Sequence, residues 1–441
     1  MAAVRQLAGR AVRRLGWGVA DQAVSSVTNF AVSIYVVRTL GAVQFGAFSL
    51  AYVTYAFALT ASRGLATEPL MVRYSAADVV TWRRAVANCT GTATAVGLAT
   101  GSCILVVAAA THGTASRAFL ALGLTLPGLL LQDSWRYSFF AAGRGFQAFL
   151  NDTVWALTLL PALVLVRATG HSNVFWYVLA WGMSAAFAAA VGPLQAKVIP
   201  RLTGTRTWLS KHRDLGPRFL AEGATWSAVA QVRTYAIGLM LGLAALGYLQ
   251  AANTLMGPLT ILWLGMSLVA IPEAARILES SPLRLPLFCL LLSVALAAVA
   301  LTWGVLVLVA LPKGLGAVAL GPIWRHTYPF VLLQALYVVG QVGGVGSFAG
   351  LHALGAARRS LRTMVISSTV YLACSLVGAA AGGAVGTMRG AAIAAWISVL
   401  ISWWQFRAAL MESDQIPDGA GLWPFRRRGR HRQSALEHYR S

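Results

Sequence analysis

Long apolar runs separated by short polar breaks fill the chain from about residue 17 to about residue 410. Each run holds about 20 predominantly apolar residues, the length that a helix needs to cross a hydrocarbon core about 30 Å thick. The pattern predicts an all-α polytopic membrane protein with about twelve transmembrane helices. We expect these helices at residues 17–37, 45–67, 86–111, 118–141, 148–168, 174–196, 219–241, 248–272, 286–311, 328–350, 363–382 and 389–410.

The distribution of basic residues predicts how the helices are oriented. The chain carries 35 lysines and arginines, and most of them fall in alternate connecting segments, in the set that includes both ends of the chain. Because cytoplasmic segments hold the excess of Lys and Arg, both termini are expected in the cytoplasm. The net charge of +22 therefore reports membrane topology and the attraction of anionic lipids, and we expect no nucleic-acid partner.

The longest predicted cytoplasmic loop divides the chain into two six-helix halves. Residues 17–196 form the expected N-terminal lobe, and residues 219–410 form the expected C-terminal lobe. A basic linker at residues 197–218 joins them. A basic cytoplasmic segment at residues 1–16 precedes the first lobe, and a basic tail at residues 411–441, predicted to be disordered, follows the second.

A shift of 201 residues aligns the first two helices with the seventh and eighth. Asp21 falls on Glu222, Gly41 on Gly242, and Gly46 on Gly247, with no gap across this window. Six helices per half is an even number, so both halves start on the same side of the membrane. The sequence therefore predicts a parallel repeat about an axis along the membrane normal, with a substrate path between the halves.

Polar and charged residues inside two of the repeated helices are candidates for the lining of that path, because such residues are costly in lipid. Helix one carries Asp21 and Asn29 on a broad polar face, which could equally be a seam between helices. Helix seven carries Glu222, Trp226 and Arg233 on one face. Arg233 lies well inside its span and is the leading candidate for binding an anion.

Other charges in the first half have structural explanations of equal or greater weight. Arg63 lies about one turn from the inner end of helix two and could extend to the cytoplasmic surface. Asp133 and Arg136 are three residues apart on helix four and could pair with each other. Asp152 begins helix five across a short turn from Arg144, and an ion pair is expected there.

Several classes of function are excluded or disfavoured by missing motifs. The chain has no G-x-x-x-x-G-K-[ST] phosphate loop, and its seven histidines are scattered without metal-ligand spacing. No catalytic set of Ser, His and Asp or of paired carboxylates converges on one face, and every predicted outer loop is short. We therefore expect no enzyme activity, no cofactor and no metal.

Three stretches together resemble a known family. RTLGAVQFGAFSLA (residues 38–51) resembles the L-G-x-x-x-F-G-x-x-x-L-A element between the first two helices of the Wzx-like, polysaccharide-export branch of the multidrug/oligosaccharidyl-lipid/polysaccharide flippase superfamily. LGLAALGYLQAAN (residues 241–253) is similar to the matching element of the second half. The helix-four segment LLLQDSWRYSFFAAGRGFQAFLNDTVWA (residues 129–156) also resembles this branch.

The resemblance implies a MATE-like fold and a function in the inner (plasma) membrane. Members of the branch move a lipid-linked oligosaccharide, typically on a polyprenyl phosphate or pyrophosphate, from the inner to the outer leaflet. Membrane lipids, a polysaccharide polymerase and glycosyltransferases are the implied partners. The implied substrate residues line a cavity between helices one, two, seven and eight: Arg233 and Arg63 for phosphate, Tyr52, Tyr55, Trp226 and Asn253 for sugar, and Asp21 and Glu222 for a coupling proton or for neutralising the arginines.

Alternatives to this function remain open from the sequence. A cation-coupled multidrug antiporter of the same superfamily shares the twelve helices and the pseudosymmetry, but its site is expected to be dominated by carboxylates. A non-transporting component of a polysaccharide-assembly complex is a second alternative. The lipid II flippase branch is disfavoured because its two extra C-terminal helices are absent, and a major-facilitator transporter because its loop motif does not match residues 68–85.

Overall fold

The computed structural model describes residues 2–75 and 77–413, and within this part side chains are not described at residues 2–16, 18–19, 222, 224–226, 260–265, 267–269 and 313. Nearly all of the predicted tail at residues 411–441 thus lies outside the described residues. Every regular element of the described part is a helix or a helical turn. The all-α prediction is therefore confirmed for this part of the chain.

Fourteen α-helices succeed one another along the described chain. A π-helical turn at Arg63–Thr67 links the first two, and short 3-10 turns precede four of the others. The helices are α1 Ala2–Ser62, α2 Glu68–Tyr74, α3 Val79–Ala110, α4 Gly113–Ala141, α5 Gly145–Ala168, α6 Val174–Ala196, α7 Thr205–Lys211, α8 Gly216–Leu255, α9 Gly257–Ser280, α10 Leu285–Ala310, α11 Leu315–Leu320, α12 Trp324–Gly343, α13 Val345–Ala353 and α14 Ala357–Glu412.

Two of the longest helices fold back on themselves at glycines. Asp21 of α1 and Arg63, which directly follows α1, lie on either side of a non-helical Gly41 and bind Arg136 and Asp133, which are three residues apart on α4. The two arms of α1 must therefore run antiparallel. In α14, residues 378 and 386 approach backbone to backbone across the non-helical pair at residues 382–383.

Nine helical stretches of the described residues are long and apolar enough to cross a membrane. The reversals in α1 and α14 would each divide one of these stretches into two membrane-crossing helices. Helix α9 is not one of the nine stretches. The chain is thus a multi-pass membrane protein, while the count of twelve and the cytoplasmic position of the termini stay predictions. Instead of the predicted loop at residues 38–44, the single residue Gly41 makes the first reversal.

Gly41 and Gly242 have nearly the same backbone conformation. Gly41 has φ 73° and ψ 172°, and Gly242, which is 201 residues later, has φ 82° and ψ 168°. A positive φ of this kind is accessible to glycine without the clash that a β-carbon would make. The same chain reversal therefore occurs at corresponding points of the two predicted halves. We call the end of the bundle that holds these two reversals the far end, and the opposite end the near end.

The second arm of α1 contacts α8 from the far end, where it meets the residues just after Gly242, to the near end, where it meets the first arm of α8. At the far end a β-carbon on Gly46 would overlap the carbonyl oxygen of Leu243, and one on Gly247 would overlap that of Ala42. Halfway along, the Thr54 and Tyr235 hydroxyls lie 2.5 Å apart. Toward the near end the backbones meet at residues 64 and 220. We call this contact the seam, the part built from α1–α6 the first lobe, and the part built from α8–α14 the second lobe.

The segment between the lobes is bound to the first lobe along its length. The Arg201 amide donates to the Ala87 carbonyl at 2.7 Å, and the Trp208 indole donates to the Leu65 carbonyl at 3.1 Å. Close to the end of the segment, Arg73 forms an ion pair with Asp214 at 2.6 Å. The linker is thus an ordered part of the first lobe, and α8 starts directly after it at Gly216.

Candidate functional site

Three helices of the first lobe bring a buried ion cluster together in its near half. Arg136 of α4 donates from Nε to Asp21 of α1 at 2.6 Å, and its Nη2 lies 2.5 Å from the same oxygen. Its Nε also lies 3.4 Å from a carboxylate oxygen of Asp152 in α5. The side chains of Asp21 and Asp152 are 0% and 3% exposed. One guanidinium therefore serves two buried carboxylates.

A second ion pair lies beside the first on α4. Arg63 donates to both oxygens of Asp133, at 3.0 Å and 2.6 Å, and its guanidinium covers the ring of Tyr137. Such a two-pronged contact matches the planar geometry of both groups. In this conformation Arg63 is a structural partner of Asp133, and its predicted role toward phosphate stays a prediction.

Two predicted ion pairs in this region are wrong. Asp133 does not pair with Arg136 but with Arg63, and Arg136 pairs instead with Asp21 and Asp152. Among the described contacts, Arg144 lies over the Trp82 ring at 5.1 Å and forms no ion pair with Asp152. Neighbouring helices supplied better-placed partners than the residues that are close in sequence.

Buried amides complete the hydrogen bonding around Asp152. Gln132 donates to a carboxylate oxygen of Asp152 at 2.7 Å and to the side-chain oxygen of Asn151 at 3.3 Å. Asn151 in turn donates to the Ala188 carbonyl and to the Gln195 side chain, both at 2.9 Å. These bonds hold α4, α5 and α6 together and fix the carboxylate in place.

The charges of the cluster do not balance. Three aspartates (21, 133 and 152) face two arginines (63 and 136), and one carboxylate oxygen of Asp21 is buried without a hydrogen-bond partner among the described atoms. An uncompensated buried charge is costly. The cluster therefore holds an excess of one negative charge when all five groups are ionised.

The second lobe holds a different site around Arg233. The Arg233 Nε donates to the hydroxyl of Ser375 at 3.2 Å, and its guanidinium lies 5.0 Å from the centre of the Tyr371 ring, which stacks on Tyr337. No carboxylate among the described side chains lies within ion-pair distance of Arg233. Arg233 is thus a half-buried cation whose described contacts are a hydroxyl and an aromatic face.

The position of Arg233 differs from the predicted one between the halves. Tyr235, two residues later on α8, contacts Thr54 across the seam. Because consecutive helical residues are about 100° apart, Arg233 points away from that contact and toward α14. The structure therefore places it between α8 and α14 of the second lobe.

The predicted sugar-binding residues have varied surroundings. Tyr52 and Tyr55 both pack on Trp181, with ring centres 5.9 Å and 4.9 Å away. Tyr52 is 40% exposed, whereas Tyr55 is buried and belongs to the core of the first lobe. Asn253 is exposed and accepts a hydrogen bond from Gln334 at 2.9 Å.

The remaining predicted site residues lie on α1 and α8. Asn29 is half-buried, and its carbonyl accepts a hydrogen bond from Ser33 at 2.8 Å. The side chains of Glu222 and Trp226 lie outside the described residues, so their roles stay predictions. Among the described residues no group of three His, Cys, Asp or Glu side chains is placed to hold a metal ion.

Sequence reasoning missed the partners that give the two sites their character. The contacts of Asp152 with Gln132 and Arg136 join residues 16 to 20 positions apart on different helices, which no local spacing indicates. For Arg233 a signal was present, because Tyr371 and Ser375 are four residues apart and share one face of α14. Two polar groups on one face of an apolar helix mark a surface turned away from lipid.

No protein-family model matches the chain, and no curated protein matches it either. Solved structures do. An inward-facing multidrug-resistance MATE transporter of the MOP superfamily superposes with a TM-score of 0.65 at 14% identity, over 88% of this chain and 96% of that one. The fold is that of the MATE transporters. The lipid II flippase MurJ in an inward closed conformation superposes with a TM-score of 0.67 at 12% identity, over 90% of each chain.

A third solved structure is informative about the variety of sites on this fold. It is a MOP-superfamily transporter from Pyrococcus furiosus for which a reversed polarity of the binding pocket suggests a different function. It superposes with a TM-score of 0.54 at 14% identity, over 91% of this chain and 95% of that one. At these identities the likeness establishes the fold, and the substrate must be argued from the side chains of this chain.

Proposed function

We propose that the protein is a membrane transporter that moves a lipid-linked, anionic oligosaccharide between the leaflets by alternating access of its two lobes. The observation that carries this proposal is the contrast between the arginines. Arg63 and Arg136 are held by carboxylates, whereas Arg233 has no carboxylate partner among the described side chains. An intramembrane cation left in this state suits an anionic ligand.

The surroundings of Arg233 fit a sugar phosphate. Its Nε donates to Ser375, and its other guanidinium hydrogens, which have no hydrogen-bond partner among the described side chains, suit phosphate oxygens in the forked geometry that arginine favours. The rings of Tyr371 and Tyr337 offer a flat surface and hydroxyl groups beside it. An aromatic face can pack against the C–H face of a sugar ring, and the tyrosine hydroxyls can form hydrogen bonds with its hydroxyl groups.

The seam supports rocking of the lobes as the means of transport. It joins the second arm of α1 to α8 from the close approach at residues 46 and 243 to that at residues 64 and 220. Away from the seam, the first arm of α1 meets α9, and the described contacts there include that of Phe30 with Gly257. A lipid tail that remains in the membrane would leave the protein between these two helices.

Transport by an Arg233→Gln variant is the decisive test. The protein is reconstituted into vesicles, and movement of a fluorescent polyprenyl-pyrophosphate disaccharide between leaflets is followed by quenching from outside. We expect at least a tenfold loss of rate for Arg233→Gln and a smaller loss for Arg233→Lys, which keeps the charge but not the fork. Arg117→Gln, which replaces an exposed arginine near the start of α4, is the matched control.

A cation-coupled multidrug antiporter is the second candidate, and the negative excess of the buried ion cluster favours it. Three buried aspartates against two arginines would attract a cationic drug or a proton. Extrusion of ethidium by the same vesicles, lost on Asp152→Asn and retained on Arg233→Gln, would support this candidate and contradict the first. Absence of movement of either probe by the folded wild-type protein would favour a non-transporting role in a polysaccharide-assembly complex.

A further inference from the structure

A groove of about 430 Å³ runs along the outside of the second lobe, between α12 and the second arm of α14. Its floor is formed by the small side chain of Ala392, where the two helices come close, as Gly340 meets Ala395 nearby. Its walls are almost entirely apolar. They are lined by Leu333, Leu336, Ile393, Trp396, Ile397 and Leu400.

A single charged residue, Arg389, lines the groove at one end. It lies six residues after the far-end reversal at Gly383, which corresponds to about 9 Å along the helix. Arg389 is exposed, and no carboxylate among the described side chains lies within ion-pair distance of it. The groove therefore combines an unpaired cation at its far end with an apolar surface that continues toward the middle of the bundle.

The length of the groove matches one leaflet of a bilayer. Residues 389 and 400 are eleven positions apart on one helix, which is about 16 Å along its axis. Half of a hydrocarbon core about 30 Å thick is about 15 Å. A molecule with its charge at Arg389 and its apolar part beside Leu400 would thus reach from the headgroup level to the midplane. A polyprenyl chain is longer than this distance, whereas an acyl chain of a phospholipid fits it.

We propose that this groove binds one anionic phospholipid, with its phosphate on Arg389 and one acyl chain along Ile393, Trp396 and Leu400. The site is separate from Arg233 and from the transport proposed above. Attraction between a basic residue and an anionic lipid changes the binding constant by about fivefold, which is large enough to enrich such a lipid at this position. The lipid would cover a strip of second-lobe surface where α12 meets α14.

Trp396 provides a direct reporter because it is 47% exposed and lines the groove. The purified protein is titrated with phosphatidylglycerol or phosphatidylcholine whose acyl chains are brominated alike, and Trp fluorescence quenching is recorded. The contribution of Trp396 is the difference between wild type and Trp396→Phe. We expect phosphatidylglycerol to quench half of the Trp396 fluorescence at a mole fraction about fivefold lower than phosphatidylcholine requires.

Replacing the cation separates the proposal from general contact with lipid. In Arg389→Gln the two lipids should quench Trp396 equally, while Arg117→Gln should keep the wild-type preference. Equal quenching by both lipids in the wild type would overturn the proposal, as would a preference for phosphatidylglycerol that survives in Arg389→Gln. A thermal unfolding curve of Arg389→Gln that matches the wild type establishes that the variant is folded, and the double variant with Trp396→Phe supplies its baseline.

Discussion

Gly46 of α1 and Gly247 of α8 lie against each other's backbone at the far end of the seam. The contact is reciprocal, since Gly46 meets Leu243 while Gly247 meets Ala42. Under the shift of 201 residues, Gly46 corresponds to Gly247 and Ala42 corresponds to Leu243. The two lobes therefore close on one another through equivalent surfaces, as a two-fold contact requires.

A β-carbon at either glycine should weaken this contact. Gly46→Ala and Gly247→Ala each place a methyl group onto a backbone carbonyl, and forced overpacking of this kind costs about 1–3 kcal/mol. Thermal unfolding in detergent measures the effect. Gly238→Ala is the matched control, because its added carbon would lie at an ordinary 3.7 Å from Leu246. Equal unfolding temperatures for all three variants would contradict the tight seam.

Removing Arg136 should be far more harmful than removing the charge of Asp21. Arg136→Gln leaves two carboxylates buried near each other without a cation, and breaking a buried ion pair in this way costs about 3–5 kcal/mol. Asp21→Asn instead relieves the excess negative charge. Unfolding temperatures of the two variants give the comparison, and the double variant should recover part of the loss. An Asp21→Asn variant less stable than Arg136→Gln would refute the assigned charge excess.

The pair of Arg63 with Asp133 should depend on the shape of the guanidinium. Arg63→Lys keeps the positive charge but loses the two parallel hydrogen bonds to the carboxylate and the contact with the Tyr137 ring. We expect a lower unfolding temperature for Arg63→Lys. A double-mutant cycle with Asp133→Asn should give a coupling energy of about 1 kcal/mol or more. Additive effects of the two substitutions would show that the pair contributes nothing.

Docking of the linker should weaken in acid because of His212. His212 is 1% exposed, and its ring packs on that of Trp208 at a tilt of 43°. Its Nδ1 donates to the Trp208 carbonyl at 2.9 Å, and its Nε2 is buried without a partner among the described atoms. Burial lowers the pKa of His212 below its ordinary value of 6.5; Arg73 and Lys211 lower it further, against the Trp208 carbonyl and Asp214, which raise it.

The sign of the pH effect follows from the lowered pKa. The undocked imidazole takes up a proton near its ordinary pKa, whereas the docked one does so only at lower pH. The stabilisation is therefore complete above the ordinary value and is lost as the pH falls through the lowered pKa. Hydrogen exchange of residues 205–215 should accelerate between about pH 7.5 and about pH 5.5, after correction for the intrinsic rate. His212→Phe should abolish this acceleration and His112→Gln should keep it.

The sequence indicated corresponding turns in the two predicted halves because these depend on local chemistry, although it predicted a loop at residues 38–44 where Gly41 alone makes the reversal. A positive φ, as at Gly41 and Gly242, favours a residue without a β-carbon. A glycine at the same relative position of two similar stretches therefore predicts the same turn in both. The membrane class followed equally directly from the apolar runs, since lipid imposes a minimum length on each helix.

The ion pairs could not be predicted in the same way. Asp21 and Arg136 are 115 residues apart, and Arg63 and Asp133 are 70 apart. Spacing along one helix favours local partners such as Asp133 with Arg136, but a buried charge takes the partner that packing brings to it. Which carboxylate each of Arg63 and Arg136 binds is thus decided by the packing of α1, α4 and α5, and no pattern along one helix contains that information.

The binding of the linker to the first lobe determines what kind of motion the molecule can make. Residues 201, 208 and 214 all hold the linker to that lobe, and α8 starts two residues after the last of them. The second lobe is thus attached to the first by almost no free chain, next to the near end of the seam. With so short a tether the lobes cannot slide or separate at that point, and the displacement available to them there is rotation about a fixed pivot.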